Sequence, residues 1–490
     1  MPFVSRLRQI RWTPSGQEPA FDTLGISTGN EIQPPASSIA AMIREMDLPV
    51  LATPSAALRE ATLLLQIASE VEHEFLLQYL YASYSLDPSK GPIVSGVQRQ
   101  IVSVARQEMA HLVTVQNLLL ALNQPFDINR ENFPTHPDLY PFPAALEPVT
   151  STTIAKYLTA EAPALNSITD PADRAIAVAA ATQAAQSVPN LHRVGAIYAV
   201  LYWLLQEGDQ AEGPWLLDRA TIDALITKYG SGFHIKNADF ADPAKIANFA
   251  ANENEWGAFD SMHIDPVFPR LSALTAIKNI SFQGEGPEES PGMPSHFRVF
   301  LGIYRDSLPN FPAGAVRNIP TNPCVVPAGV PPAGASNEIS EPVTAAWASL
   351  LNLRYRILLL DILTALSLDR SSAPDAALRQ SIISDWAVAF EMVSFIAPLA
   401  QGLTTKPLAA TPANPQFAAA PFEFGDALPN TPCGLWKEQL TQLQRSAALV
   451  NTLLRTPGLS PSDSQLLNDI SAFDAQRQPI INSRLQQHCT

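Results

Sequence analysis

The sequence predicts an all-α protein organised round a four-helix bundle. Long stretches without Gly or Pro repeat apolar residues at helical spacing, and no run alternates apolar and polar residues as a strand does. Short Pro/Gly turns or long Pro-rich segments separate these stretches, the punctuation of helices packed on helices. At 490 residues the chain is long for one core, so two or three domains are expected.

Residues 1–50 mix Pro, Gly and Ser with short apolar pieces and read as an N-terminal arm. From about Ser55, SAALREATLLLQIASEVEHEFLLQYLYASYSL predicts a helix of roughly 30 residues that Asp87-Pro88 stops. VSGVQRQIVSVARQEMAHLVTVQNLLLALN predicts a second, ended by Gln124-Pro125, and the short turn between them makes an antiparallel hairpin, half of a bundle. A Pro-rich crossover follows, then a short helix at STTIAKYLTAE and a longer one at PNLHRVGAIYAVLYWLLQ. Residues 209–265 read as loop-rich, before a helix near 266–281 and another at SHFRVFLGIYRD. The domain organisation is then an arm over 1–50, a bundle domain over 51–307, a Pro-rich linker over 308–342 and a C-terminal helical domain over 343–490. In the last, two apolar helices and a Pro-rich loop lead to a closing helix that starts near Trp436.

Composition narrows the function. The net charge of −15, from 31 basic and 46 acidic side chains, repels phosphate backbones and anionic lipid, so neither nucleic acid nor a membrane is an expected partner. The N-terminus has no apolar signal region, and no uninterrupted apolar run of 18 residues occurs. Cys324, Cys433 and Cys489 have no metal-ligand spacing and read as reduced thiols of a cytoplasmic protein. Phosphate loops, dinucleotide fingerprints and nucleophile elbows are missing.

The chemistry lies in carboxylates set among apolar residues. On the first helix, Glu70 and Glu74, with Gln66, His73 and Gln78, read as a solvated face. Glu72 differs, because Leu65, Ala68, Phe75, Leu76 and Tyr79 at its helical neighbours put it inside the apolar stripe. A lone buried carboxylate is costly unless a proton, a cation or a metal compensates it. Glu108 repeats the anomaly among Ile101, Val104, Ala105, Leu112 and Val115, with His111 one turn on. Glu-x-x-His opposite an inward Glu is how carboxylate-bridged metal bundles are built; the bland alternative is a buried Glu–His ion pair. Glu161, His192 and His296 are further candidates: Glu161 follows an apolar face but Pro163 ends its helix, His192 has small neighbours, and His296 starts a helix with Val299, Phe300 and Ile303 above it. His263 reads as a loop residue, and His73, His136, His234 and His488 carry no argument.

With those residues in view, the chain resembles the ferritin-like proteins related to iminophenyl-pyruvate dimer synthase. The resemblance runs from about Leu58 to Asp306 through EHEFLLQYLYASYSL, RQEMAHLVTVQNLLLALN, Glu161-Ala162-Pro163, VGAIYAVLYWL, the QGEG loop and SHFRVF, with NLRYRILL and AAPFEF beyond. It implies a ferritin-like four-helix bundle with a long crossover, loop-rich insertions and a C-terminal helical extension. It implies metal ligation by Glu72, Glu108, His111 and His296, with Glu161 and His192 as candidates, and iron as the cofactor, one or two ions, or another divalent metal. Two departures stand out: Ala196 lies where relatives commonly have Glu, and Met293 where they have a Glu three residues before the last histidine. Glu285 or Glu288 is then available to complete the set. The function implied is oxidation or oxygenation of a small amino-acid-derived or aromatic metabolite with dioxygen. A metal enzyme without redox chemistry and a binding scaffold without catalysis are the alternatives. The sequence leaves open whether the chain is a homo-oligomer.

Overall fold

The computed structural model describes residues 10–13, 48–51, 56–135, 144–187, 192–210, 213, 219–257, 262–268, 270–285, 294–325, 337–409 and 416–489. The N-terminal arm contributes a feature that sequence reading missed: β1 (Ile10–Thr13) pairs antiparallel with β2 (Leu48–Leu51), Ile10 opposite Leu51. Strands of four residues are too short for an alternating pattern to stand out.

The bundle begins with α1 (Ala57–Ser85) and α2 (Pro92–Ala121). Asp87-Pro88 ends α1 as expected, Gly91 takes a left-sided φ of 132° in the turn, and Pro92 opens α2 where its missing N–H is harmless. After the crossover, Thr150 caps α3 (Ser151–Ala160) by accepting from the Thr153 amide at 3.0 Å. α4 (Pro171–Ala185) follows, then α5 (Gly195–Leu204), whose every residue is buried. Two short helices, α6 (Arg219–Tyr229) and α7 (Pro243–Phe249), lie inside the stretch read as loop. α8 (Arg270–Glu285) and α9 (His296–Gly302, with a wide turn over Ile303–Ser307) complete this half. α1 packs on α2 and α5, and α8 on α2 and α5, so these four close the bundle, while α9 packs against α3, α8 and α2.

Four further helices form the C-terminal half: α10 (Pro342–Leu366), α11 (Ala373–Leu403), α12 (Pro432–Leu454) and α13 (Pro461–His488). The single closing helix expected from sequence is two, divided before Pro461. α11 is long and apolar enough by composition to cross a membrane, yet half of its most apolar window is buried in the protein. Its Glu391 is fully buried and pairs with Arg354 and with Arg477 Nη2 at 3.0 Å. Asp474 and Asp361 complete this cluster: Asp474 binds both guanidiniums, and Asp361 takes Arg477 Nη1 at 2.9 Å.

The reduced-thiol expectation is corrected for two cysteines. Cys433 at the start of α12 and Cys489 at the end of α13 form a disulfide, Cα to Cα 5.1 Å, and only Cys324 is free. Their 56-residue separation conceals the contact, because only the antiparallel packing of the two helices brings those ends together. Disulfides are rare in the cytosol, so the thiols no longer argue for a cytoplasmic location.

The expected solvated face of α1 is also corrected: Glu70, His73, Glu74 and Gln78 are all buried. The first part of the crossover and helix α10 cover them, and the outward face of α1 and α2 shares one core with α10 to α13. A donor chain runs across this seam: Arg130 Nε donates to the Tyr355 hydroxyl (2.9 Å), which donates to His73 Nε2 (2.6 Å), whose Nδ1 donates to the Ile128 carbonyl (2.9 Å). Burial first, then the Arg130 charge, depress His73 to about 3, so it is neutral there. Sequence periodicity shows which residues share a helix face but not what a distant segment lays over that face.

Candidate metal centre

Inside the bundle, α1 and α2 each point one carboxylate at the other helix. Glu72 and Glu108 are buried, and the Glu-x-x-His spacing brings His111 Nδ1 to 3.0 Å from Glu108 Oε2 and 3.4 Å from Glu72 Oε2. From α3 and α9 come Glu161, the C-cap of α3, and His296, the first residue of α9. His296 Nδ1 lies 3.0 Å from Glu108 Oε1 and 3.5 Å from Glu161 Oε1. The result is two triads, Glu72–Glu108–His111 and Glu108–Glu161–His296, whose oxygen and nitrogen atoms lie within 4.8 Å of one another in each. Glu108 belongs to both.

The surrounding polar groups fix the orientation of these five. His111 Nε2 donates to Gln283 Oε1 (2.9 Å) and His296 Nε2 to Gln107 Oε1 (2.8 Å), so both rings turn Nδ1 inward. The Tyr198 hydroxyl donates to Glu72 Oε1 and the Tyr79 hydroxyl to Glu161 Oε1. Burial and then the neighbouring Glu108 charge push Glu72 up to about 7. Burial would raise Glu108 too, but His296 and His111 reverse it and hold the group below its ordinary value. Burial would lower both histidines. For His111 the hydrogen bonds to Glu108 and Glu72 win and raise it well above normal; for His296 the charges of Glu108 and Glu161 raise it to about 9.

One detail decides whether a metal suits this donor set. Glu108 Oε1 and His296 Nδ1 face each other at 3.0 Å outside hydrogen-bonding geometry, so both are buried without a hydrogen bond. The contact is a buried ion pair, with the oxygen and the nitrogen both turned inward, so a divalent cation that displaces the histidine proton meets both atoms. Three carboxylates and two imidazoles are the donor chemistry of first-row divalent metals. A small pocket opens onto them, walled by Phe75, Val194, Tyr198, Ile280, Ser281 and Gly284.

Residues 65–305 match the ferritin-like family model. They form a ferritin-like domain. The chain is also 25% identical over 371 residues to dichlorochromopyrrolate synthase of Lentzea aerocolonigenes, covering 69% of this chain. It spans about a third (33%) of that relative's length. Among solved structures it is similar to a ferritin-like protein from Caulobacter vibrioides, at 18% identity and a TM-score of 0.40, covering 74% of this chain and 99% of that one.

Of the six candidate ligands, the ferritin-like domain brings together Glu72, Glu108, His111, Glu161 and His296. His192 joins neither triad; it is half-buried just before α5, and desolvation lowers it to about 4. Ala196 is buried on α5, while Met293, Glu288 and the Glu285 side chain lie outside the described residues. His136 does too. Tyr79, Tyr198, Gln107 and Gln283 were missed as supporting residues. Tyr79 had a signal, lying on the apolar stripe of Glu72 two turns on; the reach of a Gln to a histidine from another helix has none.

Proposed function

We propose that the ferritin-like domain holds one or two iron ions through Glu72, Glu108, His111, Glu161 and His296, and that the protein oxidises or oxygenates a small amino-acid-derived or aromatic metabolite with dioxygen. The observation that carries this is Glu108, buried and shared by two triads of metal-binding side chains, with the Nδ1 atoms of His111 and His296 each 3.0 Å from one of its oxygens. Similarity to dichlorochromopyrrolate synthase supports an enzyme of secondary metabolism. Iron, when bound, supplies one-electron redox chemistry and a binding place for dioxygen. The protein does the rest. Tyr198 and Tyr79 hold one oxygen each of Glu72 and Glu161 and leave the other for ligation. Gln283 and Gln107 keep the Nε2–H of each histidine occupied, so Nδ1 carries the lone pair inward. The apolar walls exclude water from the reacting end of the substrate.

A second reading is a non-redox enzyme with one divalent ion acting as Lewis acid. Ala196 favours it, a buried methyl on α5 where the resemblance implies a carboxylate.

Elemental analysis of protein purified without added metal tests the proposal, with one or two equivalents of iron expected. Anaerobic Fe(II) protein should then turn to an Fe(III) absorption on exposure to air. Equal activity with zinc and without oxygen would select the Lewis-acid reading. Less than about a tenth of an equivalent after anaerobic iron loading would leave a binding scaffold, since sites of this donor set bind divalent metals in the reduced, loaded protein.

A further inference from the structure

The inward stripe of α8 runs Ile277, Ile280, Ser281 and Gly284, one face of one helix. Ile277 and Ile280 belong to the core, so a serine and a glycine on the same stripe need a reason. For Gly284 the reason is Glu161: an added Cβ would stand 3.2 Å from Glu161 Oε2, so glycine lets that carboxylate lie against the helix. Ser281 is 4% exposed, yet among the described residues its Oγ has no hydrogen bond, not even to the preceding turn, where a helical serine ordinarily finds a carbonyl. Beside it is a space for one water molecule, about 10 Å³. The carboxylates of Glu72, Glu108 and Glu161 and the His111 ring line that space on one side, and Ser281 and Gly284 on another. Phe75, Val194 and Ile280 are its apolar walls.

We infer that this space is the exchangeable-ligand niche of the centre: it holds one molecule of water size, with the Ser281 hydroxyl as its hydrogen-bond partner. This rests on reading the carboxylate–histidine cluster as a metal centre. Each triad brings three protein donors to an ion, and a site with three protein ligands keeps a further position for a water or a substrate atom. A serine hydroxyl both donates and accepts. In the metal-free protein it and the neighbouring carboxylate oxygens give a buried water the about two to four polar partners it needs. With an ion bound, the same hydroxyl meets the ligand on the side turned away from the ion. Room, and not charge, is the filter. A divalent ion attracts any small anion, whereas the niche admits one of water's size and turns away a longer one.

The test loads the full-length protein with Co(II), whose visible absorption reports the ligands on the ion, and titrates it with fluoride and with azide. The two anions carry the same charge and differ in length, so the ion's attraction is common to both. Wild type, Ser281→Ala and Ser281→Val are compared, with cobalt content and the thermal midpoint of the metal-free form measured for each. Wild type should bind fluoride and, at the same concentration, not azide. Ser281→Ala should weaken fluoride several-fold by losing the hydroxyl and should let azide in by gaining room. Ser281→Val should fill the niche and shut out both, with cobalt content unchanged. In the metal-free form Ser281→Ala should lower the midpoint, because the bond to the water goes, although alanine is the better helix former. Azide bound by wild type as well as by Ser281→Ala, fluoride binding indifferent to both variants, or a metal-free Ser281→Ala midpoint equal to or above that of wild type would each overturn the niche. A wild type that takes up no cobalt, with the Ser281→Ala midpoint still lowered, would sink the metal reading and leave the water site standing. Full cobalt uptake with both variants responding to the probes as wild type does would do the reverse.

Discussion

Replacing Glu108 by Gln removes a carboxylate that stands 3.0 Å from the Nδ1 of both His111 and His296. A unit-charge pair at that separation is worth about 5 kcal/mol at an effective dielectric of 20. The imidazoles limit the loss, since each can shed its proton instead. His296 titrates at about 9 in the fold, so surrendering its proton at pH 7 costs roughly 3 kcal/mol, two pH units at 1.4 kcal/mol each. Adding His111, whose shift has the same sign, puts the loss in the range of about 3–5 kcal/mol that breaking a buried pair commands. Urea unfolding of metal-free protein at pH 7 should therefore find Glu108→Gln less stable by that amount. The pairing also fixes a pH profile. Because the folded pKa of His296 lies above its ordinary 6.5, the stability it contributes is full below pH 6.5 and lost as pH rises through 9. Anaerobic Fe(II) should stabilise the wild type, by about 2.7 kcal/mol at a hundredfold excess over Kd, and the variant less, since glutamine leaves a neutral amide oxygen to one triad and none to the other. A metal-free Glu108→Gln protein as stable as wild type would refute the pairing, and a wild type indifferent to metal would refute the centre.

The C-terminal ion-pair cluster holds three carboxylates against two guanidiniums, and burial pushes Asp361 up to about 8. An acid raised in the fold binds more protons there than when unfolded, so its contribution falls as pH rises from about 4 to 8. Asp361→Asn should flatten the stability profile across that window, gaining on wild type as pH rises toward 8; an unchanged profile would show that Asp361 carries its charge in the fold. The Cys433–Cys489 cross-link spans 56 residues, and loop-closure entropy sets about 4 kcal/mol as the most it contributes. Cys433→Ser should lower the unfolding midpoint of α12 and α13 within that limit, and thiol titration of unreduced, denatured protein should count one free thiol; a count of three would remove the disulfide.

Most of the bundle was legible because α1 and α2 are long, uninterrupted and periodic, and a carboxylate inside such a stripe is conspicuous. Glu72, Glu108 and His111 could be read for that reason. Glu161 and His296 sit at helix ends, where periodicity has no turn on one side to confirm a face, and their convergence on Glu108 depends on how α9 packs against α3 and α2. The helices α4, α6 and α7 were missed for a related reason: α4 is largely alanine and the other two are short, so none shows a contrast of faces. The solvated reading of Glu70, His73 and Glu74 failed because polarity alone predicts exposure only when nothing polar arrives to meet it, and Arg130 and Tyr355 do arrive.

That seam sets the boundary of what folds together. The family match ends at residue 305, but α1 is sealed on its other side by residues that begin with the segment at Ile128 and include Tyr355 of α10. A chain cut at the edge of the match would leave His73, Glu74 and the core side chains Leu77, Tyr81, Met109 and Val113 without their cover. One helix would then carry Glu72 of the candidate metal centre on one flank and bare polar and apolar core on the other. The stretch that evolution shares among these proteins is smaller than the stretch this chain must fold as a piece, and α1 belongs to both.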